Sequence, residues 1–315
     1  METTYLDHNT RLQQPCVGTI GFFDGVHRGH RFLIGCVTSA AKDAGMESVV
    51  ITFDKHPRQV LQSDYVPRLL TTTEEKLRLL SATGVDRIVV LHFTPEMAAM
   101  TAFDFMDTVL HRQLNMSKLI IGYDNHFGQG GKEGFSDYCR YGSQLGIDVE
   151  AAPPFEPGGG LHVSSSQVRR FLAEGDIASA NLCLGYTYTL GGTVAHGFAE
   201  GRRMGFPTAN IDPQTVGQMI PATGVYAVRV MLPGHTGSLG GMLNIGSRPT
   251  FGGTDVTIEV NVFNFTGNLY EKKLRVSFLG RIRSERKFSS AEALASQLAD
   301  DRQKAETIIK HTPFI

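Results

Sequence analysis

The 315-residue chain has few cysteines and almost no net charge. Cys16, Cys36, Cys139 and Cys183 form no Cys-x-x-Cys pair, and no histidines stand near them at zinc-ligand spacing. The expectation is buried thiols in a reducing compartment. Thirty basic residues against thirty-one acidic ones leave a formal charge of −1. No overall field steers such a chain to nucleic acid or to a membrane surface. No stretch approaches the ~18 apolar residues of a membrane span, and no basic-then-apolar leader opens the chain. These absences predict a cytoplasmic protein acting on small molecules, monomeric or weakly self-associating, with no nucleic-acid or membrane partner. Any polyanion it binds must be caught by local groups. Glycine, by contrast, is abundant at 35 residues, placed partly in tight turns and partly in candidate phosphate loops. The length predicts two domains.

The most informative stretch is Gly21-Phe22-Phe23-Asp24-Gly25-Val26-His27-Arg28-Gly29-His30. It follows an apolar run and precedes an amphipathic one, so a strand, a glycine-rich turn and a helix start meet there. Free N–H groups and the positive dipole end make such a turn an anion site. Histidines placed at it can donate to phosphate and stabilise charge that builds during phosphoryl chemistry. A lone histidine there would be a cap, and a lone Gly-x-x-x-Gly only a turn; here they arrive together. His-x-Gly-His after a strand resembles the nucleotidylyltransferase superfamily.

Two patterns divide the chain at about Gly185. Residues 1–185 alternate apolar strands with helices: strands at 17–23, 48–53, 87–91, 118–122 and 147–151, helices at 32–44, 72–84, 101–114 and 136–145. Repeated βα units predict a Rossmann-like, doubly wound parallel sheet. Its ligands lie at the carboxyl ends of the strands, where Gly21–His30 and Gly122–Gly128 both fall. A Pro/Gly loop at 153–160 and two short helices lead to Gly185. Residues 186–315 carry short alternating strands punctuated by Gly, Pro and Asn, which predicts a small antiparallel β-barrel. A terminal helix closes the chain, with Ser289 and Glu292 as its expected capping box.

Three further segments join the first turn: Thr52-Phe53-Asp54-Lys55-His56-Pro57, Gly122-Tyr123-Asp124-Asn125-His126-Phe127-Gly128 and Ser164-Ser165-Ser166-Gln167-Val168-Arg169. Singly, each reads also as a turn, a cap cluster or a solvated helix residue. In this order they resemble the bacterial bifunctional riboflavin kinase/FAD synthetase family, and the resemblance covers essentially the whole chain. It implies FMN adenylylation by the first half. An FMN phosphate oxygen attacks the α-phosphorus of ATP and pyrophosphate leaves. His27 and His30 would be catalytic, and Phe23, Asp24, Gly25 and Gly29 would cradle the nucleotide. Ser164, Ser165 and Arg169 would hold pyrophosphate. Asp124, Asn125 and His126 would line the flavin-phosphate or the adenine side. The family often has Arg where His126 stands and an aromatic where Asn125 stands, so FMN affinity is expected to be weaker or pH-dependent.

In the second half, Gly201-Arg202-Arg203-Met204-Gly205-Phe206-Pro207-Thr208-Ala209-Asn210 supplies hard oxygen ligands on a backbone stiffened by proline. Alone it reads equally as a β-turn. It resembles the Gly-x-Pro-Thr-Ala-Asn motif of riboflavin kinases, which implies Thr208 and Asn210 at a Mg²⁺ or other hard divalent ion. Glu259, on the polar face of Thr257–Val262, matches the family's catalytic base for the riboflavin 5′-hydroxyl, with Asn261 where His is common. Gly192, Gly201, Arg202, Gly205, Pro207, Asn244 and Arg283 would bind nucleotide or flavin, and 197–205 would form a flap. The substrates and products implied are riboflavin, FMN, ATP and FAD. A flavin-binding regulator that has lost activity would lack Glu259 or one of the two histidines, and all three are present. A single-activity adenylyltransferase would not need Pro-Thr-Ala-Asn. A dinucleotide dehydrogenase would carry Gly-x-Gly-x-x-Gly in its first turn.

Overall fold

A computed structural model of the chain describes residues 1–62, 64, 66–122, 125–131, 133–158, 160, 162–196, 206–250 and 253–312, with backbone alone at 248–250 and 253–255. The chain divides into two compact units, 1–67 with 71–161, and 68–70 with 162–315. Each is described by itself.

The first unit is a six-stranded sheet in the order β1-β4-β3-β2-β5-β6. Its strands are β1 Glu2–Tyr5, β2 Cys16–Ile20, β3 Glu47–Phe53, β4 Arg87–Leu91, β5 Met116–Ile121 and β6 Asp148–Ala151. Every pairing is parallel, as the alternating pattern predicts. Helices α1 Arg28–Ala44, α2 Pro57–Leu61, α3 Thr73–Ser81, α4 Pro95–Ala98, α5 Ala102–Phe105 and α6 Phe135–Leu145 connect them. β2 is buried along its whole length, and its neighbours β3 and β5 lie on either side of it. The chain reverses its direction of strand addition between them, which opens a crevice at the carboxyl end of β2.

Three details differ from expectation. β1 escapes the pattern because Glu2-Thr3-Thr4-Tyr5 is an exposed edge strand with no apolar face. β2 ends at Ile20, not Phe23, because Phe23 has already turned to φ 55°. The helix expected over 101–114 is α5 followed by wider i→i+5 turns at Met106–Gln113, which keep Met106, Val109, Leu110 and Gln113 facing the core.

The second unit holds α7 Ser165–Glu174, α8 Ile177–Leu184 and a closed six-stranded barrel, β10-β11-β8-β7-β12-β9. The strands are β7 Thr189–Ala195, β8 Ala209–Ile211, β9 Gly224–Met231, β10 Leu239–Thr250, β11 Gly253–Val262 and β12 Lys273–Arg283. All pair antiparallel. Tyr226, Val228, Leu243, Val260 and Phe278 are fully buried in it. The terminal helix α9, Ala291–His311, packs through Leu298, Ala305, Ile308 and Ile309 on Ala227, Met242 and Phe263. Its cap is Ser290, one residue beyond the expected Ser289. Ser290 is extended (φ −150°), and its side chain accepts from the Ala293 N–H at 3.2 Å. The helix face also carries Asp301, fully buried, which takes Arg283 of β12 bidentately (Nε at 2.9 and 3.1 Å, a terminal nitrogen at 2.8 Å) and Gln297 at 2.7 Å. Such a pair fixes the helix to the strand through geometry that an apolar contact lacks.

Candidate active sites

In the first unit the turn after β2 is strained. Gly25 has φ 79°, and Phe23 and Val26 have φ 55° and 36° without being glycine. A β-branched residue in that region costs on the order of 1–3 kcal/mol, and such strain clusters at functional sites. The buried Asp24 carboxylate pins the loop by accepting the Thr71 N–H and hydroxyl, both at 3.1 Å, and the Thr71 oxygen accepts the Gly25 N–H at 3.1 Å. His27 caps α1, its Nδ1 accepting the His30 N–H at 3.2 Å. A neutral His27 therefore carries its proton on Nε2, as a donor. The two imidazoles stack with centroids 3.6 Å apart. A side chain at Gly29 would press on the His27 ring at 3.3 Å, so the glycine is what lets the rings sit there. Burial, aided by His27 and Lys76, pushes His30 well below its ordinary value, and its Nδ1 is buried without a partner among the described residues. His30 is thus a neutral donor site, not a standing cation.

Beside this turn lies a cavity of about 620 Å³ whose walls include Phe22, Phe53, Phe93, Phe105 and Phe127. Arg58 and His126 also line it, and no carboxylate does among the described lining residues. It suits a flat aromatic ligand bearing negative charge. Asn125 donates its amide N–H to the Ile20 carbonyl, which ties the loop after β5 to the end of β2. His126 Nδ1 lies 3.2 Å from the Glu133 carbonyl. A carbonyl only accepts, so Nδ1 holds the proton and the neutral ring leaves a lone pair on Nε2. Asp124 lies outside the described residues.

The sequence reading missed Lys76. It is almost fully buried, with Nζ donating to the Phe22 and Phe53 carbonyls at 3.1 and 2.7 Å and lying 4.1 Å over the Phe22 ring. It joins the ends of β2 and β3. The signal was its place on the buried face of α3 with Leu79 and Leu80. Burial pushes its ammonium down to about 8, against opposing pulls from Asp24 and Asp54. Between that value and the ordinary 10.5 the unfolded chain binds the extra proton, so stability from this group rises with pH across that window. Thermal unfolding should therefore show wild type gaining on Lys76→Met between about pH 8 and about pH 10. A difference between the two that stays flat over this range would refute the assignment.

In the second unit, the pairing register builds the other site. Val225, Asn244, Glu259, Asn210 and Ala195 are successive cross-strand partners across β9, β10, β11, β8 and β7. Directly opposed residues share a face, so Asn244, Glu259 and Asn210 form a polar row. Ile258 and Val260 point the other way, into the core. Two cavities flank the row. One, about 290 Å³, is lined by Asn244, Glu259, Asn261 and Arg283 and by apolar groups such as Phe206 and Met242. The other, about 360 Å³, is lined by Pro207, Thr208, Phe265 and Tyr270 among others. Thr208 lines both. β8 was missed as a strand because three residues carry no readable alternation. Gly192 has a packing reason: a Cβ there would come within 2.4 Å of Ile211 Cγ2. Arg283 reaches the cavity wall while held by Asp301, the second residue the sequence reading missed. Asp301 falls on the apolar stripe of α9, and that displacement was its signal.

Ser164 caps α7 by accepting the Gln167 N–H at 3.2 Å, and Arg169 Nε donates to the Arg68 carbonyl at 2.8 Å. Ser164, Ser165 and Arg169 belong by contact to the second unit. Gly201, Arg202 and Gly205, with the flap expected at 197–205, lie outside the described residues. Among the described residues no group of three or more His, Cys, Asp or Glu could hold a metal ion, and no helix is long and apolar enough to cross a membrane.

Comparison with known proteins gives matches over both halves of the chain. The family model for FAD synthetase matches residues 9–167, and that for riboflavin kinase matches 184–309. The bifunctional riboflavin kinase/FMN adenylyltransferase of Escherichia coli strain K12 is 36% identical, over 93% of this chain and 92% of that protein. The protein of the same description from Bacillus subtilis strain 168 is 33% identical over 97% of each. A solved structure from Streptococcus pneumoniae, described as a macrolide-efflux protein, superposes with a TM-score of 0.87 at 30% identity, covering 96% of this chain and 98% of that one.

Proposed function

The chain belongs to the bifunctional riboflavin kinase/FMN adenylyltransferase family, and from that premise we propose which residues carry its two reactions. The protein phosphorylates riboflavin to FMN and adenylylates FMN to FAD, using ATP in both steps. In this reading residues 186–315 catalyse the first step and residues 1–185 the second.

The observation that carries the kinase assignment is Thr208, shared by two cavities, one of which also holds Glu259. The 290 Å³ cavity, walled on one side by Phe206, Met242 and Phe288, takes the isoalloxazine and the 360 Å³ cavity takes ATP. Glu259 accepts the proton of the ribityl 5′-hydroxyl as its oxygen attacks the γ-phosphorus, and ADP leaves. Pro207 and Asn244 shape the two walls, and Arg283, held rigid by Asp301, faces the flavin side. Thr208 and Asn210 offer neutral oxygens beside the Glu259 carboxylate, without a cluster of charged ligands. That set fits a hard ion such as Mg²⁺, which prefers oxygen and would keep several waters beside the protein and nucleotide oxygens. Bound there, the ion would offset phosphate charge.

For adenylylation, the aromatic 620 Å³ cavity beside the histidine turn takes the FMN ring. The phosphate nucleophile is already anionic, so positioning and charge stabilisation suffice. His27 donates from Nε2, and His30 adds a second neutral donor as charge builds on the α-phosphate. The backbone at Gly25 and Gly29 admits the phosphates closely. Arg169, with Ser164 and Ser165, supplies a planar fork for pyrophosphate. We take the enzyme to work in the cytoplasm, where its four cysteines stay reduced.

The His126 geometry yields a prediction. With Nδ1 given to Glu133, the neutral ring presents a lone pair to any anion. A guanidinium there brings permanent donors. His126→Arg should lower the KM for FMN by about tenfold, with kcat of adenylylation little changed. Steady-state kinetics with FMN varied would show it; an unchanged KM places His126 off the phosphate path. The assignment as a whole is tested by incubating the protein with riboflavin, ATP and Mg²⁺ and separating the flavins by chromatography. Both FMN and FAD should form, and formation of neither would remove the catalytic reading.

A further inference from the structure

We propose that Asn261 is a positioning residue for metal–nucleotide binding in the kinase half, a role that rests on the reading of Thr208 and Asn210 given above. The β8–β11 ladder pairs Ile211 with Ile258, Asn210 with Glu259 and Ala209 with Val260, and stops there. One step further would set Thr208 against Asn261. Pro207, which comes next, has no N–H to continue a ladder. The Asn261 side chain takes over instead: its Nδ2 donates to the Pro207 carbonyl at 2.7 Å. Thr208 is thereby held from both sides, by the ladder through Ala209 and by Asn261 through the Pro207–Thr208 peptide. The same strand places Glu259 two residues away on the same face, so one element sets the spacing of the base and of the Thr208 oxygen. Asn261, Glu259 and Thr208 all line the 290 Å³ cavity.

The other half of the amide supports this role. Asn261 is 5% exposed, and its Oδ1 is buried with no hydrogen-bond partner among the described residues. A buried orphan acceptor is destabilising, and a leucine of similar shape would remove it. The residue keeps an unmet acceptor in order to present its donor. An asparagine also brings that donor without a titrating charge beside Glu259.

The test uses the full chain, with ADP as the probe. Calorimetric titrations are run with and without Mg²⁺ on wild type, Asn261→Leu and Asn261→His, and a thermal midpoint is recorded for each. In the leucine variant the Mg²⁺-dependent affinity for ADP should fall about tenfold, the upper range for one neutral hydrogen bond. Its thermal midpoint should hold or rise, because the orphan acceptor is gone. The histidine variant, whose ring N–H can reach the carbonyl, should recover most of the affinity. Leucine binding within about twofold of wild type overturns the inference. So does a parallel fall of midpoint and affinity in both variants, which marks a merely structural residue. If ADP binding by wild type is indifferent to Mg²⁺, the metal reading of Thr208 and Asn210 has failed first, and this result is distinguishable from the other two.

Discussion

Glu259→Gln should stop FMN formation from riboflavin, by roughly 10²–10⁴-fold, the range expected for losing a positioned general base. FAD formation from supplied FMN should continue at the wild-type rate. The amide has the shape of the carboxylate and keeps the cross-strand contacts with Asn244 and Asn210, so no cavity opens and the barrel stays intact. What is lost is the ability to accept the hydroxyl proton. FAD formation from FMN by the same chain is the internal control, and an unchanged thermal midpoint excludes a folding defect of the barrel. Chromatography of the flavins after separate incubations with riboflavin and with FMN decides the matter. Appreciable FMN from the variant would show that Glu259 is not the base.

His30→Ala should give the mirror result. Riboflavin should be converted to FMN and accumulate there, with adenylylation down by roughly 10²–10³-fold, the scale for losing one preorganised donor to a developing charge. His30 is half-buried, stacked on His27 and next to Phe23, so alanine alone also leaves a void. His30→Gln separates the effects: its amide N–H can restore part of the donor, and some activity should return. If both variants make FAD at the wild-type rate, the stacked imidazoles serve only to cap α1, and the nucleotide is held elsewhere.

Much of this could be read from the residues, for reasons that differ by element. The parallel sheet announced itself because its central strands are buried on both faces and are apolar at most positions. The histidine turn was legible because Gly25 and Gly29 meet steric demands that few other residues satisfy. The edge strand β1 was not, since no buried face imposes a pattern on it. β8 was too short to alternate, and its residues read as a ligand loop. Lys76 and Asp301 share a different cause. Each is a charge on an apolar helical stripe, and its partners, the Phe22 and Phe53 carbonyls for one and Arg283 for the other, are distant in sequence. Periodicity marks such positions as anomalies but does not say what answers them. The cap of α9 was misplaced by one residue because Ser289 and Ser290 are equivalent in sequence, and only the extended backbone of Ser290 chooses between them.

The polar row across the barrel has an evolutionary corollary. Glu259 faces the site and its neighbours Ile258 and Val260 fill the core solely by the even–odd alternation of one strand. Chemistry and folding are therefore encoded in the same parity. Loops around the barrel can lengthen or shorten without touching either. A single-residue deletion inside β11 upstream of Glu259 would trade both at once, turning the carboxylate inward and the valine out. Such a lineage could not drift gradually toward a different base position on this strand. It would have to move the base in steps of two.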